Sequence, residues 1–493
     1  MARNGGKPMN DKYSTTAKAE KLSNEKRLEK QWKNIDWKKA ENEVNRLQIR
    51  IAKAVKENKW NKVKRLQYLI VHSYYAKILA VKTVATNKGR KTAGIDKVIW
   101  QTNSEKMNAA ISLTGRKYKS KPLRRIYIDK KGKKTKRPLS IPCMYDRAMQ
   151  ALYAMALQPV VETTADSYSY GFRKYRSCQD ACERIFAVLC HKTSAEWVLE
   201  GDIKGCFDHI SHQWLIENIP MDKSILKQFL KAGFVYENRL FQTDEGTPQG
   251  GVISPILANM TLDGIQQMLA EEFSSNYINK CRNKVNFIRY ADDFIVTASS
   301  KETAEKAKLL IKDFLASRGL ELSEEKTVIT NINNGFDMLG WIFRKFKNKL
   351  IIKPSRKSVR NLSQKLAEII LRKGKALTQK LLIIKLNQVL IGWGNYHRSV
   401  CSKQTFKKID KIIFVLLWKW ACHRHPHKSR TWVKLRYWHS IELQNWVFVS
   451  ENMELKQLSY LPIKRHSKLN NSMNPFLNQD YFINRQRFIP IPI

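Results

Sequence analysis

The chain has 493 residues, 43% of them hydrophobic and 10% aromatic, which excludes a disordered polymer and predicts two to four domains rather than one small core. Its 90 Lys and Arg against 43 Asp and Glu give a net charge of +47, a field suited to a polyanion, nucleic acid first. No apolar run is long enough to span a membrane, and Met1–Asn10 lacks the apolar core of a signal peptide.

The charge is unevenly spread. Residues 1–90 carry 23 basic and 8 acidic side chains, 91–340 carry 36 and 29, and 341–493 carry 31 and 6. A near-balanced middle between two basic flanks reads as a chemical centre with a nucleic-acid grip on either side. In chain order, the spacing of Val44, Leu47, Ile51 and Val55 predicts helix across residues 34–84. Lys88–Asp96 is a loop. Arg125–Ile128 and Pro138–Ile141 read as two strands joined by the basic turn Lys130–Arg137, a hairpin able to reach a phosphate chain.

Further along, Trp197–Asp202 is a strand that ends on a carboxylate. Val285–Thr297 holds two apolar strands around Ala291–Asp293. Residues 302–318 are helical and 336–352 form short strands, an α+β mixture with a sheet covered by helices. From Ser358 to Trp420 the pattern is wholly helical: Phe406, Ile409, Ile413, Leu416 and Trp420 fall on one stripe, and Lys407, Lys408, Lys411 and Lys419 fall opposite, facing phosphates.

An Asp-Asp pair in a turn, facing an aspartate at a neighbouring strand end, is the hard-oxygen donor set that Mg²⁺ takes. Phosphoryl transfer uses two such ions about 4 Å apart, one at the attacking oxygen and one at the leaving group. Asp202, Asp292 and Asp293 offer that arrangement, and as like charges they repel unless a cation lies among them.

These blocks, with Lys91–Asp96 (KTAGID), Arg137–Arg147 (RPLSIPCMYDR), Ser169–Arg173 (SYGFR), Asp202–Asp208 (DIKGCFD), Gly246–Gly251 (GTPQGG), Tyr290–Asp293 (YADD), Gly319–Lys326 (GLELSEEK), Phe336–Ile342 (FDMLGWI) and Gly392–Arg398 (GWGNYHR), occur in one order. The set resembles the maturase–reverse transcriptases encoded by group II introns. The resemblance implies an α+β right-hand polymerase: a basic, mainly helical N-terminal extension (1–85), fingers and palm (86–345), an all-α thumb or maturase domain X (346–430) and a basic DNA-contacting C-terminal segment (431–493).

By that resemblance Asp202 and Asp292 hold two Mg²⁺ ions with the Ile203 carbonyl, and Asp293 is the third carboxylate. Phe207 is the ring that excludes a ribose 2′-hydroxyl, and Gln249 lies beside the incoming nucleotide. Lys130 and Arg137 clamp its triphosphate, where a forked guanidinium suits phosphate oxygens. Lys326 is either a proton donor to pyrophosphate or a surface lysine. The partners implied are dNTPs, the group II intron RNA and target DNA, with no membrane, in a bacterial cytoplasm or in an organelle if the host is a eukaryote. The expected activity is RNA-directed DNA synthesis together with assistance to intron splicing. Alternatives are a splicing-only maturase and the reverse transcriptase of a retron or diversity-generating element.

Three further signals bear on this reading. Cys422–His427 (CHRHPH) packs four candidate ligands into six residues, too tightly for one tetrahedral zinc, and reads as a nucleic-acid-contacting linker. Arg430–Trp446 interleaves basic and aromatic residues as strand-tracking segments do, with Arg430, Lys434 and Arg436 as DNA contacts. The eight cysteines form no paired framework, as in a reducing compartment, and with none after Cys422 an HNH endonuclease domain is not expected.

Overall fold

A computed structural model of the chain describes residues 11–129, 136–441, 444–451 and 453–486. Four helices come first: α1 (Asp11–Lys33), α2 (Trp37–Lys56), α3 (Trp60–His72) and α4 (Tyr74–Thr86). Asp36 caps α2 by accepting the Lys39 N–H at 2.9 Å. The α2 face formed by Ala40, Val44, Ile51 and Val55 is buried, as its spacing predicts, whereas Leu47 is only partly covered. The capping box of Thr102 and Glu105 starts α5 (Asn103–Ser112).

The N-terminal helices share their core with α6 (Met144–Thr164), and α2 and α4 both pack on it. Polar side chains complete the joint: Gln48 Nε2 donates to the Met155 carbonyl at 2.8 Å, and Gln67 Nε2 to that of Pro220 at 2.9 Å. The segment 1–85, read from sequence as an extension, is thus built into the central body along its described helices.

The predicted hairpin is present as β1 (Leu123–Asp129) and β2 (Lys136–Ile141), paired from Arg124 opposite Ile141 to Asp129 opposite Lys136. Its turn, with Lys130, lies outside the described residues. After β3 (Trp197–Asp202) comes a hairpin that sequence reasoning did not find, β4 (Phe234–Tyr236) and β5 (Arg239–Phe241), which joins β1 in a sheet of order β2-β1-β4-β5. Its turn places Glu237 (φ 49°) and Asn238 (φ 61°) in the left-handed region. Glutamate at the first of these positions is a poor signal for such a turn, which favours Asn, Asp or Gly.

The central sheet has the order β6-β7-β3-β8, with β6 (Asn286–Tyr290), β7 (Asp293–Ala298) and β8 (Val328–Asn331). Alternate residues enter two different cores. Leu199, Phe287, Phe294 and Val296 face α6 and its neighbours, whereas Val198, Ile288 and Ile295 face α7 (Cys178–Leu189) and the next sheet. Burial on both faces explains why these strands read as continuous apolar runs.

That next sheet, β9 (Phe336–Met338), β10 (Trp341–Phe346) and β11 (Lys349–Pro354), corrects a boundary. A division at residue 345 cuts β10, whereas the all-helical region starts where Ser355 caps the helix Arg356–Ala367. The sequence change is gradual because β10 and β11 are as dense in lysine as the helices after them.

Helices Gln379–His397, Lys403–Arg424 and Arg430–Tyr437 complete this region. On Lys403–Arg424 the buried stripe is Phe406, Ile409, Ile413, Leu417 and Trp420, with the expected Leu416 only half-buried. The joint to the central body is aromatic. The Trp341 ring stacks on Tyr396 at 4.6 Å, and the Tyr396 hydroxyl donates to the Leu339 carbonyl at 2.7 Å.

The C-terminal part is not uniformly a surface segment. Asp410 accepts the Leu458 and Ser459 N–H groups at 2.9 and 2.8 Å, after which the chain crosses back to the central body. There Arg485 and His466 both bind the buried Asp180 of α7. Phe482 stacks on Tyr175, and Asn474 donates to the Glu162 carbonyl at 3.2 Å. Gln479 and Asn45 exchange amide hydrogen bonds. Residues 455–486 are therefore a strap, which reading 431–493 as one DNA-contacting segment did not foresee. Its anchors Leu469, Phe476 and Phe482 are buried but follow no period, so nothing in the sequence marks them.

Burial alone would raise the Asp180 carboxyl, yet the His466 hydrogen bond and the Arg485 charge hold it below the usual carboxylate range. Replacing Arg485 by Met leaves that charge undercompensated, a loss of about 3 kcal/mol. The expected outcome is a lower Tm with new proteolytic cleavage inside 455–486, read by thermal melting and mass spectrometry of the fragments.

Candidate active site

The site begins with sheet register. β3 and β7 are antiparallel, and their last cross-strand pair is Asp202 opposite Asp293, so both side chains leave the same face at one edge. β6 and β7 pair up to Tyr290 opposite Asp293, which leaves only Ala291 and Asp292 to close the hairpin. Ala291 adopts φ 58°, an uncommon conformation for a residue with a Cβ.

The turn is clamped from below by Arg289, whose side chain is fully buried. Its Nη1 donates to the Ala291 carbonyl at 3.2 Å and to Asn259 Oδ1 at 3.1 Å, and its Nη2 to Asp263 Oδ1 at 2.6 Å. Asn259 in turn donates to the Gly171 carbonyl at 2.8 Å. Gly171 must be glycine for reasons of space, since a Cβ there would stand 2.3 Å from the Ala291 nitrogen. The SYGFR segment is thereby fixed against the YADD turn, with the Tyr170 N–H donating to the Arg289 carbonyl at 2.9 Å.

Lys326 pairs with the Asp202 carboxylate, so it is not an unattached surface lysine. It gets there because Ile203 bridges Leu322 and the Ser323 N–H donates to the Asp202 carbonyl at 2.8 Å. Solvent reaches Asp293, yet burial of its carboxyl among protein atoms and the charges of Asp292 and Asp202 push it up to about 6. Burial also raises Asp292, the Asp202 charge adds to this, and Arg137 and Lys326 oppose it. Arg137 on β2 thus acts electrostatically on Asp292.

Among the described residues no three carboxylate, imidazole or thiol side chains close into a metal cage. The aspartates form a shared edge, with a lysine ammonium already drawn to it. That arrangement fits Mg²⁺, which takes one or two carboxylates and completes its shell with phosphate oxygens and water.

Beyond Asp202 the chain turns at Gly205 (φ 53°) into a one-turn helix, Cys206–His209. The Thr247 N–H donates to the Phe207 carbonyl and the Gly246 N–H to that of Ile210, both at 2.7 Å. GTPQGG therefore lies directly on the turn that carries Phe207. Gly246 (φ 81°) is required here, because a Cβ would meet the Asp208 carbonyl oxygen at 2.5 Å. Gln249 Nε2 donates to both Asp208 carboxylate oxygens, at 3.1 and 3.0 Å, and the Gln249 carbonyl accepts the Ser140 N–H of β2 at 2.8 Å. Arg125, Ser140, Phe207, Asp208, Phe234 and Gln249 line a cleft of about 250 Å³.

Asp202, Ile203, Asp292, Asp293, Phe207, Gln249, Arg137 and Lys326 thus belong to one neighbourhood. Lys407, Lys408, Lys411 and Lys419 are exposed on the helix Lys403–Arg424. Arg430 and Arg436 are exposed on the helix Arg430–Tyr437, where Lys434 stands 4.5 Å over the Trp446 ring. His425 of the CHRHPH segment bonds the Tyr437 hydroxyl at 2.8 Å. Sequence reasoning missed Asp208, although it sits in a quoted block, and the buried clamp of Arg289, Asn259 and Asp263, which no spacing announces.

Three family descriptions match this chain: "N-terminal domain of reverse transcriptase" at residues 32–113, "Reverse transcriptase (RNA-dependent DNA polymerase)" at 128–343 and "Group II intron, maturase-specific domain" at 359–438. The group II intron-encoded protein LtrA of Lactococcus lactis subsp. cremoris is 32% identical over 359 residues, 60% of this chain and 59% of that protein. Protein YkfC of Escherichia coli strain K12 is 32% identical over 302 residues, 53% of this chain and 78% of that protein. The chain belongs to the group II intron maturase–reverse transcriptases. Another relative is a 91 kDa protein in the cob intron of Schizosaccharomyces pombe, 31% identical over 321 residues, 52% of this chain and 38% of that protein. The chain matches about 59% of the length of LtrA. In this member of the family no described helix is long and apolar enough to cross a membrane.

The raised Asp293 carboxyl has a consequence for metal binding. Its folded value near 6 lies above the unfolded value of about 3.9, so without metal the folded state holds more protons between those limits and gains stability as pH falls through 6. Mg²⁺ bound at this edge would displace that proton. The Tm increase on adding Mg²⁺ is expected to be larger at pH 8 than at pH 5, and to vanish in Asp292→Asn/Asp293→Asn, as measured by differential scanning calorimetry.

Proposed function

We propose that this protein is an RNA-directed DNA polymerase that extends a primer with dNTPs on an RNA template. The observation that carries the reading is the pairing of Asp202 with Asp293 across β3 and β7, with Asp292 in the clamped turn beside the Phe207–Gln249 cleft. Residues 86–354 would be fingers and palm, the helices to about 430 the thumb, and the exposed part of 431–454 a DNA-contacting surface.

Asp202 and Asp292, with the Ile203 carbonyl, would hold two Mg²⁺ ions, and Asp293 would stand as the outer carboxylate. When bound, those ions supply charge neutralisation at the triphosphate and activation of the primer hydroxyl. The chain's own residues do the rest. Arg137, with Lys130, neutralises phosphate oxygens from the fingers hairpin. Phe207 places a ring where a ribose 2′-hydroxyl would project. Gln249, its amide held by Asp208, packs beside the base. Lys326, already on Asp202, is within reach to protonate the departing pyrophosphate.

Primer extension on an RNA template with dNTPs and Mg²⁺ tests this. Asp292→Ala is expected to lose at least about a thousandfold in rate, and Phe207→Ala to admit ribonucleotides. No extension by the wild type, under conditions where it binds template, would sink the reading.

We further propose that the same protein binds its group II intron RNA, assists its splicing and copies it at a DNA target. Support comes from the maturase-specific match at 359–438 and from 21 basic against two acidic residues between Ile351 and Ser440. The same match disfavours a retron or diversity-generating system, and the intact carboxylates disfavour a splicing-only scaffold. By analogy with the relatives' hosts it would act in a bacterial cytoplasm or an organelle. Changing Lys407, Lys408, Lys411 and Lys419 together to Ala is expected to weaken intron binding and to flatten its salt dependence by up to about four counterions. An unchanged slope in filter binding across a salt series would remove these lysines from the interface.

A further inference from the structure

Phe172 combines features that its own fold does not account for. It lies between two immobilised residues. Gly171 is pressed against Ala291 of the catalytic turn, and its carbonyl accepts from Asn259. Arg173 is buried, donating to Glu162 Oε2 at 3.1 and 2.8 Å and to the Asp166 carbonyl at 2.8 Å. Between these anchors Phe172 has φ 57°, a left-handed conformation that is a true outlier for a bulky residue. Glycine or asparagine would take it with less strain.

Nor does burial compensate, because Phe172 is 55% exposed. The aromatic contact of its ring is edge-on to Phe207, with centroids 6.2 Å apart and planes at 81°. A strained, solvent-facing ring fixed between the metal-binding turn and the sugar-sensing ring has its use in a ligand, since strain of this kind persists where function needs it.

We infer that Phe172 is a specificity-determining residue, forming with Phe207 a two-ring wall against the sugar of the incoming nucleotide. Phe207 lies in a one-turn helix after a glycine, half-buried against the central core, so the part of its ring left uncovered needs a neighbour to fix its tilt. Phe172 supplies that neighbour from a backbone that cannot shift, because Gly171 has no room to move toward Ala291. The wall is then rigid on the side where an extra 2′-oxygen would have to fit.

This inference rests on the polymerase reading, and single-nucleotide incorporation with dNTPs and rNTPs separates the two. The variants are Phe172→Ala, Phe172→Gly and Phe172→Tyr, compared with wild type for KM, kcat and Tm. Ala and Gly are expected to raise the dNTP KM and to lower the dNTP-over-rNTP preference, each about tenfold, the range for one lost pocket contact. Their kcat should change less, and Tyr should restore both quantities. Gly should keep or raise the Tm, because φ 57° suits it. If the wild type extends primers while Ala and Gly leave KM and preference unchanged, Phe172 has no part in selection. A Gly variant that loses several degrees of Tm, with kcat and kcat/KM falling together, would make Phe172 structural and overturn the inference. A wild type that extends no primer overturns the polymerase reading and this one with it.

Discussion

The carboxylate edge depends on a guanidinium that touches none of the three carboxylates. Arg289 sits fully buried under the β6–β7 turn and holds the Ala291 carbonyl, Asn259 and Asp263. The left-handed conformation of Ala291 costs about 1–2 kcal/mol. Hydrogen bonds to a charged group contribute about 1.5–3 kcal/mol each, so the clamp outweighs that strain. Through Asn259 it also fixes Gly171 and hence the whole SYGFR segment. Loss of Arg289 would leave Asp263 buried and unpaired and release the turn, so one buried pair governs where Asp292 points.

The charge pattern follows from the same economy of placement. In a chain of net charge +47, the near-balanced middle is where acidic residues are used in fixed geometry. Asp263 neutralises Arg289, Glu162 neutralises Arg173, and Asp208 orients Gln249. Three aspartates remain crowded at one sheet edge, and their mutual repulsion is only partly met by Lys326 and Arg137. A divalent cation is the efficient way to complete that balance, which ties the electrostatics of the edge to its chemistry.

Much of this was legible in the sequence because it is local. A strand ending at Asp202, an Asp-Asp turn between apolar strands and a helical run from Ser358 each follow from period and spacing. The candidate site residues were named through family resemblance, and sheet register explains why Asp202, Asp292 and Asp293 meet. What was not legible is non-local or strained. Arg289 reads as one more basic residue until burial shows its partners, and nothing in the SYGFR block marks the left-handed, exposed Phe172. The β4–β5 turn uses Glu237 where a weak turn former hides the hairpin. Leu416 yields to Leu417 because a stripe of period 3.6 drifts along a 22-residue helix.

The strap 455–486 has the same character, and it changes how the parts relate. The Trp341–Tyr396 stack alone would leave the helical region one aromatic pivot on the central body. The strap adds attachments at Asp410 on the helical side and at Asp180, Glu162 and Asn45 on the other. Two attachments separated in space resist a rotation that one would permit. They also join the N-terminal helices to the last residues described, so regions at opposite ends of the chain brace each other. A basic surface held this way keeps a fixed distance from the carboxylate edge. That is the geometric condition that the proposed gripping and copying of one bound nucleic acid would require.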